Sequence, residues 1–453
     1  MFENLLGQSA ASQLVADIEG ASLAPAMLFS GPPASGKGTA ALELARVISC
    51  ETPGDSIGHG ETARISHRAA WKCPCPSCAR HRLLVHPDLL CLGNKPFSAE
   101  IAASASSFLK DTGSPSSRML FIRSVRKLLL RFNPVLWEDE PKAGKISPLV
   151  NSLEEDLDDL AFLFDKSQSS VDSASVTKLT EEIIKGAFKL QSEWMSETIP
   201  IGQIRRAAFW SRLAPASGGK CLVIENAHRM QEEARNSLLK LLEEPPARLT
   251  VVLTAPRPLS LIPTILSRLR PYAFNSRDSE AEQEVIRRVF KAEGYKGGIS
   301  AYLDSFLPVS SDALEALAAF FAASAAYRAA LLSKRQGRLL SEDVVLLGKS
   351  SAPKAEAAGL GRPKEDTAAV INLIIEKAAK FEVRSLFSRF LSCLLAQVSM
   401  SVRSSDSPPS VSFSQIWKNC SNWAETAAGI YNLRPAQVLE KLFIDISLRM
   451  AEL

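Results

Sequence analysis

A glycine-rich segment that follows a short apolar run constrains this 453-residue chain more than any other feature. The run Ala26-Met27-Leu28-Phe29 ends at Ser30, and residues 40–45, a good helix former, follow the segment. The segment reads Gly31-Pro32-Pro33-Ala34-Ser35-Gly36-Lys37-Gly38-Thr39. Strand, glycine loop and helix are the context of a phosphate-binding loop, in which backbone N–H groups and a helix N-terminus surround the phosphates. The G-x-x-x-x-G-K spacing predicts ATP or a related nucleotide as ligand, with Lys37 reaching its outer phosphates. An ordinary glycine-rich turn is the alternative.

One position of this loop departs from the usual pattern. A serine or threonine normally follows the lysine and ligates Mg²⁺ through its hydroxyl. Here Gly38 holds that place, and the hydroxyl comes one residue later, at Thr39. The loop therefore predicts nucleotide binding, and it argues against metal-assisted hydrolysis.

Length and composition limit the class of protein. The chain is long enough for two to four domains, and 46% hydrophobic residues suffice for ordinary cores. The net charge of +4 neither requires nor excludes nucleic acid. No apolar run is long enough to cross a bilayer, and the first residues do not resemble a signal peptide. We therefore expect a cytoplasmic protein with no membrane partner, whose eight cysteines are thiols or metal ligands.

Four cysteines form a candidate metal site. Three of them lie within six residues and are separated by prolines, and the fourth follows the first helix: Cys73, Cys75, Cys78 and Cys50. Four thiolates can hold a structural Zn²⁺ in a closed tetrahedral shell. Because the C-x-C-x-x-C spacing is irregular, a histidine could replace one sulfur, the candidates being His59, His67 and His81. Buried thiols without metal are the other alternative.

Apolar runs alternate with helical segments throughout residues 1–275, apart from one insertion. The runs 220–224 and 249–254 predict core strands, so we expect a parallel sheet covered on both faces. Glu225 ends the first of these runs, where related ATPases place an acidic residue near the metal. Asn226 follows, where a glutamate would activate water; loss of a general base costs about 10²–10⁴ in rate.

Two other regions predict helices. The insertion, about residues 93–198, contains a basic segment at 121–132 and an acidic one at 153–160, which most simply pack as a helical hairpin. A basic helix on nucleic acid is the alternative. Beyond residue 279 no strand is convincing. A Gly/Pro/Ala-rich linker is expected at 350–363, before a last helical block.

The motifs together resemble those of bacterial DNA polymerase III clamp-loader subunits of the AAA+ class, closest to the delta-prime type and next to gamma/tau. The resemblance covers about residues 1–92 and 199–275, with a weaker match to the C-terminus. It is carried by the following motifs: Gly7-Gln8, the phosphate loop, the cysteine cluster, His86-Pro87-Asp88, Ile201-Gly202-Gln203-Ile204-Arg205, Asn236-Ser237-Leu238-Leu239-Lys240-Leu241-Leu242-Glu243-Glu244-Pro245-Pro246 and Thr264-Ile265-Leu266-Ser267-Arg268.

The resemblance implies an AAA+ domain at 1–275 with a cysteine module at about 50–81, a helical lid at 276–349 and a helical collar at 364–453. It implies a hetero-pentamer with other clamp-loader subunits, which uses ATP to place the sliding clamp on primed DNA. Arg268 would then serve a neighbour's ATP as an arginine finger in trans, a role worth about 10³–10⁵ in rate in other nucleotide hydrolases. The nucleotide-binding set would be Gly31, Pro32, Pro33, Ala34, Ser35, Gly36, Lys37, Gly38, Thr39, Glu225 and Thr254.

Gly38, Glu225 and Asn226 each weaken hydrolysis by the chain itself, which favours the delta-prime type. Two alternatives remain. In a gamma/tau-like motor, Thr39 would replace the missing magnesium ligand. A nucleotide kinase is the remote alternative, because Gly-Lys-Gly-Thr also occurs in the phosphate loop of adenylate kinases.

Overall fold

The computed structural model describes most of the chain: residues 2–20, 22–52, 55–57, 64–66, 69–138, 140–165, 172–196, 198–379, 384–403, 410–429 and 433–453. The chain divides into two compact units, an N-terminal unit of Met1–Leu303 and a C-terminal unit of Asp304–Leu453. The domain boundaries expected from the sequence, 1–275, 276–349 and 364–453, remain predictions.

Seven strands are present in the described part of the N-terminal unit: β1 Ala26–Ser30, β2 Asp55–Ile57, β3 Arg64–Ser66, β4 Leu89–Gly93, β5 Lys220–Glu225, β6 Leu249–Ala255 and β7 Arg270–Ala273. Five of them form one parallel sheet in the order β4-β5-β6-β1-β7. Because all five strands run the same way, their carboxyl ends share one edge of the sheet.

Apolar side chains cover both faces of this sheet. On one face Phe29, Cys91 and Val223 pack against the first helices of the chain. On the other face Leu28 and Ile224 pack against helices that follow the insertion. Successive strand residues point to opposite faces, so near-continuous apolar strands are what a doubly covered parallel sheet requires. The predicted α/β fold is confirmed.

Thirteen helices begin in the described part of the N-terminal unit: α1 Ser9–Glu19, α2 Lys37–Ile48, α3 Pro76–Leu83, α4 Ser98–Lys110, α5 Pro115–Leu129, α6 Pro134–Trp137, α7 Ala143–Asp165, α8 Ser173–Trp194, α9 Ile201–Arg212, α10 Glu232–Glu243, α11 Pro263–Leu266, α12 Ser279–Phe290 and α13 Ile299–Asp304. The predicted hairpin is part of a larger helical array, because α4, α5, α7 and α8 share one apolar core. The basic and acidic segments do meet, since Arg126 pairs with Asp158 at 3.1 Å.

Two pieces of sheet are absent from the sequence-based prediction. β2 and β3 form an antiparallel hairpin in a stretch that reads only as polar. β7 pairs with β1 at the edge of the main sheet, where the missing N–H of Pro271 leaves no ladder position unsatisfied. This proline is the reason why the strand is hard to recognise.

The described part of the C-terminal unit is helical: α14 Ser311–Arg335, α15 Glu342–Ala357, α16 Thr367–Lys377, α17 Arg384–Arg403, α18 Val411–Gly429 and α19 Pro435–Ala451. α15 continues across the first half of the linker expected at 350–363, so that expectation is wrong up to Ala357. The expectation that no apolar run could span a bilayer is also too broad. α14 passes that test by length and composition, although 67% of its apolar window is buried inside the protein, as in core helices of soluble proteins.

Candidate functional site

The predicted phosphate loop lies at the carboxyl edge of the main sheet. It leaves β1 at Ser30 and enters α2 at Lys37. β5 and β6, which end at Glu225 and Ala255, bring their own carboxyl ends to the same edge. Gly36 caps α2 with a left-handed φ of 95°, a conformation that favours glycine. The local sequence therefore folds into the strand, loop and helix that it predicts.

Lys37 is folded back onto its own loop. Its Nζ donates to the carbonyl oxygens of Gly31 at 2.6 Å and Pro32 at 2.5 Å, and to Ser35 Oγ at 3.2 Å. Burial and then the Lys95 ammonium lower the pKa of Lys37 to about 8, although Glu225 acts in the opposite direction. A phosphate entering the loop would take this ammonium from the two carbonyls, since its charged oxygens are stronger acceptors.

Gly38 lies next to the Glu225 side chain. A β-carbon at position 38 would lie only 2.9 Å from Glu225 Oε1, closer than real β-carbons approach an oxygen. The glycine that interrupts the sequence pattern is thus the residue that leaves room for the carboxylate. A serine or threonine side chain cannot enter this place without displacing Glu225.

The second oxygen of that carboxylate is bound by an arginine from the insertion. Arg131, in the turn Leu130–Phe132 after α5, donates through Nη2 to Glu225 Oε2, and both side chains are less than a tenth exposed. Burial opposes the ionisation of Glu225, but Arg131 and then Lys95 outweigh it and hold the carboxyl's pKa below its ordinary value. Glu225 is therefore a paired carboxylate in the folded protein.

The ion pair continues into a wider charge network. Glu100 of α4 accepts from Lys127 of α5 and, at 3.3 Å, from Lys95, which follows β4. The Phe97 ring lies beneath two of the cations, 5.1 Å from Lys95 Nζ and 5.0 Å from the Arg131 guanidinium carbon. This network joins the insertion to the edge of the sheet where the phosphate loop lies.

The residues at this edge do not fit a resident Mg²⁺. Magnesium requires near-octahedral oxygen ligands at about 2.0–2.1 Å. Gly38 replaces the hydroxyl that would follow the lysine, and Arg131 binds one of the two oxygens of the Glu225 carboxylate. Thr39 lies half-buried in the first turn of α2. The usual hydroxyl ligand is therefore lacking, and the carboxylate is already paired with a fixed cation.

Two polar residues close the same edge. Asn226 adopts a left-handed backbone conformation, and its N–H donates to Thr254 Oγ1 at 3.1 Å. An amide side chain cannot take a proton from water, so the position offers no general base. Thr254 itself is buried in β6.

Arg268 lies outside this site, on the protein surface after α11. Its Nη2 donates to Glu243 Oε1 of α10 at 2.5 Å, and its Nη1 donates to the Thr264 carbonyl at 2.6 Å. The side chains of Arg268 and Glu243 are 34% and 49% exposed, so their ion pair is open to solvent. Exposed pairs of this kind are weak, about 0–1 kcal/mol, and a partner's anion can compete for the guanidinium.

The four predicted cysteine ligands lie together. Their sulfurs are all within 4.8 Å of one another, with Cys50 Sγ 3.8 Å from Cys73 Sγ and 3.9 Å from Cys75 Sγ. Tetrahedral zinc with Zn–S bonds of about 2.3 Å places its sulfurs about 3.8 Å apart. The cluster could therefore hold a metal ion, with these three residues and Cys78 as ligands.

The surroundings act differently on the thiols of the cluster: burial raises the pKa of Cys50 and of Cys78, whereas the pKa of Cys75 is lowered. Burial opposes ionisation of Cys75, but the N–H groups of Cys78 and Glu51 outweigh it and lower the pKa of Cys75 to about 6. The buried Arg46 donates from Nη1 to Cys78 Sγ at 3.7 Å. Of the histidine alternatives, His81 stacks on His86 with ring centroids 4.0 Å apart, and His59 and His67 lie outside the described residues.

Three arginines of these sites are absent from the sequence-based prediction. Arg131 and Arg46 are described above. Arg277 follows β7 and donates to the carbonyl oxygens of Ala34 in the phosphate loop, at 2.6 Å, and of Leu6, at 2.9 Å. Arg131 lies in the basic segment 121–132, and Arg46 and Arg277 belong to no motif; each of the three reaches its partner in these sites only through the fold, so the sequence does not indicate which group it binds.

The parallel sheet with its phosphate loop and the helical C-terminal unit fit the α/β fold predicted for the AAA+ class. Comparison with known proteins gives a more specific resemblance than the fold class alone. The family described as "DNA polymerase III, delta subunit" matches residues 153–278, which include α8 from the insertion.

Curated relatives match shorter stretches. The chain is 33% identical over 107 residues to DNA polymerase III subunit delta' of Pseudomonas aeruginosa, covering 23% of this chain and 33% of that protein. It is 28% identical over 92 residues to DNA polymerase III subunit gamma/tau of Mycobacterium tuberculosis and of Mycobacterium bovis, covering 20% of this chain and 16% of each. The matches thus span a third or less of these relatives. Together with the family match they support the predicted resemblance to clamp-loader subunits.

Among solved structures, the DNA polymerase III gamma subunit-related protein of Thermotoga maritima aligns with the chain at 19% identity. The alignment covers 56% of this chain and 81% of that chain, with a TM-score of 0.22.

Proposed function

We propose that the chain is a clamp-loader subunit of delta-prime type, working in the cytoplasm in a hetero-pentamer that loads the sliding clamp onto primed DNA. Within it residues 1–275 form the AAA+ domain, 276–349 the lid and 364–453 the collar. The phosphate loop retains ATP with little or no turnover. The cysteine cluster holds a structural Zn²⁺, which supplies a cross-link and no chemistry.

The observation that carries this proposal is the ion pair between the Glu225 carboxylate and Arg131, next to a Gly38 position that has no room for a serine or threonine side chain unless Glu225 moves. A site built in this way lacks the usual hydroxyl ligand of magnesium and holds its carboxylate in an ion pair, and Asn226 in addition offers no base. The chain nevertheless presents Arg268 on an exposed surface, where it donates to the Glu243 carboxylate, to the Thr264 carbonyl and, at 3.3 Å, to the Ser267 hydroxyl. A subunit that contributes to catalysis in a neighbouring subunit needs this combination of an inactive site of its own and an exposed arginine.

The test is the ATPase activity of the chain assembled with candidate clamp-loader partners. Arg268→Ala should lower turnover by about 10³-fold or more with assembly unchanged, because an arginine finger stabilises charge in the transition state. Arg287→Ala is the matched control, since Arg287 is also a surface arginine of the N-terminal unit, paired with Glu284 at 2.6 Å. Equal turnover of Arg268→Ala and wild-type assemblies would refute the role in trans.

A second candidate follows from the gamma/tau matches in the curated relatives. In a gamma/tau-like motor the isolated chain hydrolyses ATP, and Thr39 supplies the metal's hydroxyl ligand. Turnover by the chain alone that is lost in Thr39→Val would favour this candidate over the first.

A further inference from the structure

The charge network and Lys37 together place four cations and two carboxylates at the edge of the sheet where the phosphate loop lies. They are Lys37, Lys95, Lys127, Arg131, Glu100 and Glu225. Lys37 belongs to the loop, and the rest of the positive charge comes from the segment between β4 and the turn at 130–132. These six residues carry an excess of positive charge. The site therefore has cationic side chains fixed in the fold, whereas Mg²⁺-dependent sites use an exchangeable metal ion.

The position of Arg131 is specific within this group. It binds the oxygen of Glu225 that faces away from Gly38, so the carboxylate is neutralised from the side of the insertion. Arg131 is itself held by its Nη1, which donates to the Lys127 carbonyl at 3.1 Å, and by the Phe97 ring. A guanidinium clamped at three points is a permanent part of the fold.

We infer that Arg131 takes the electrostatic place of the divalent cation, so that the loop binds the phosphates of a nucleoside di- or triphosphate without Mg²⁺. An unpaired Glu225 would repel phosphates, and a metal ion would then be needed to offset it. With Arg131 in place this repulsion is already cancelled, and Lys37 remains for the phosphates. The inference rests on the nucleotide binding proposed above.

The experiment titrates the purified full-length chain with a fluorescent N-methylanthraniloyl-ATP, in magnesium chloride or in EDTA. The dissociation constants in the two buffers should agree within about threefold, and unlabelled ATP should displace the probe. Lys37→Met should abolish binding in both buffers, which locates it at the loop. Binding more than threefold weaker in EDTA, or no binding in either buffer, overturns the inference.

Charge variants of the ion pair sharpen the test. Arg131→Met exposes phosphates to an uncompensated carboxylate, so affinity in EDTA should fall by about tenfold or more and Mg²⁺ should restore part of it. Arg131→Met/Glu225→Gln removes both charges and should again bind equally in both buffers. Mg²⁺-dependence of this double variant equal to that of Arg131→Met would contradict the assigned role.

Glu225→Gln keeps the test decisive if Arg131→Met does not fold. Its amide oxygen can still accept from Arg131, and the freed positive charge should bind nucleotide in EDTA at least as tightly as wild type. Weaker binding by this variant overturns the inference. These results are independent of Arg268, so failure here and failure of the proposed role in trans are distinguished by separate assays.

Discussion

Replacing Arg131 by methionine should destabilise the N-terminal unit by about 3–5 kcal/mol, because it leaves the Glu225 carboxylate buried without its partner. The two side chains are 6% and 8% exposed, so water cannot replace the lost guanidinium. Unfolding entropy is about 2.1 cal/mol/K per residue, which for the 303 residues of this unit gives about 0.6 kcal/mol/K. The Tm should therefore fall by about 5–8 °C.

Thermal unfolding followed by circular dichroism measures this change, with Arg287→Met as the control. Arg287 pairs with Glu284 on the surface, where its charge is screened by water, so its replacement should leave Tm nearly unchanged. Arg131→Met/Glu225→Gln should recover most of the loss, because it buries no unpaired charge. A double variant as unstable as Arg131→Met would show that the loss comes from packing and would refute the argument.

The contribution of the Glu225–Arg131 ion pair to stability depends on pH. The folded pKa of Glu225 lies below its unfolded value, so its contribution is complete above the unfolded pKa and is lost as pH falls through the folded one. In Arg131→Met the unpaired carboxyl takes up a proton readily as pH falls, which relieves its penalty. The Tm difference between wild type and Arg131→Met should therefore be largest near neutral pH and shrink in acid.

Three further predictions concern the other parts of the two sites. The purified chain should contain about one zinc ion by elemental analysis, which Cys78→Ser should remove and Cys393→Ser, a cysteine of the C-terminal unit, should not. Gly38→Ser should lower Tm without creating ATP turnover, because its β-carbon meets the carboxylate at the end of β5, whereas Gly144→Ser, with open space around it, should be tolerated. Nucleotide affinity should fall by up to roughly tenfold from about pH 7 to about pH 9, as Lys37 loses its proton near its lowered pKa of about 8.

Each of these predictions has a result that contradicts it. Zinc retained in full by Cys78→Ser would exclude the four-cysteine site. Turnover gained by Gly38→Ser would mean that Glu225 can move aside to admit a metal ion. Affinity that stays constant over this pH range would place the phosphates out of reach of Lys37.

Several features could be predicted from the sequence because they depend on near neighbours in the chain. The phosphate loop is one, since strand, glycines and helix are contiguous and each residue type has its own backbone preference. The parallel sheet is another, because apolar runs of strand length alternate with helices. Cys73, Cys75 and Cys78 lie within six residues, so their convergence needs only one turn of chain.

Tertiary structure alone decided which groups the Glu225 carboxylate meets. Arg131 and Glu225 are 94 positions apart and meet because the insertion returns its turn at 130–132 to the sheet edge. Gly38 reads in sequence as a missing magnesium ligand, and only the fold shows that it also makes room for a carboxylate. Whether a charge is repelled or neutralised depends on distances of a few ångströms in a poorly screened interior, and a linear pattern contains no such distances.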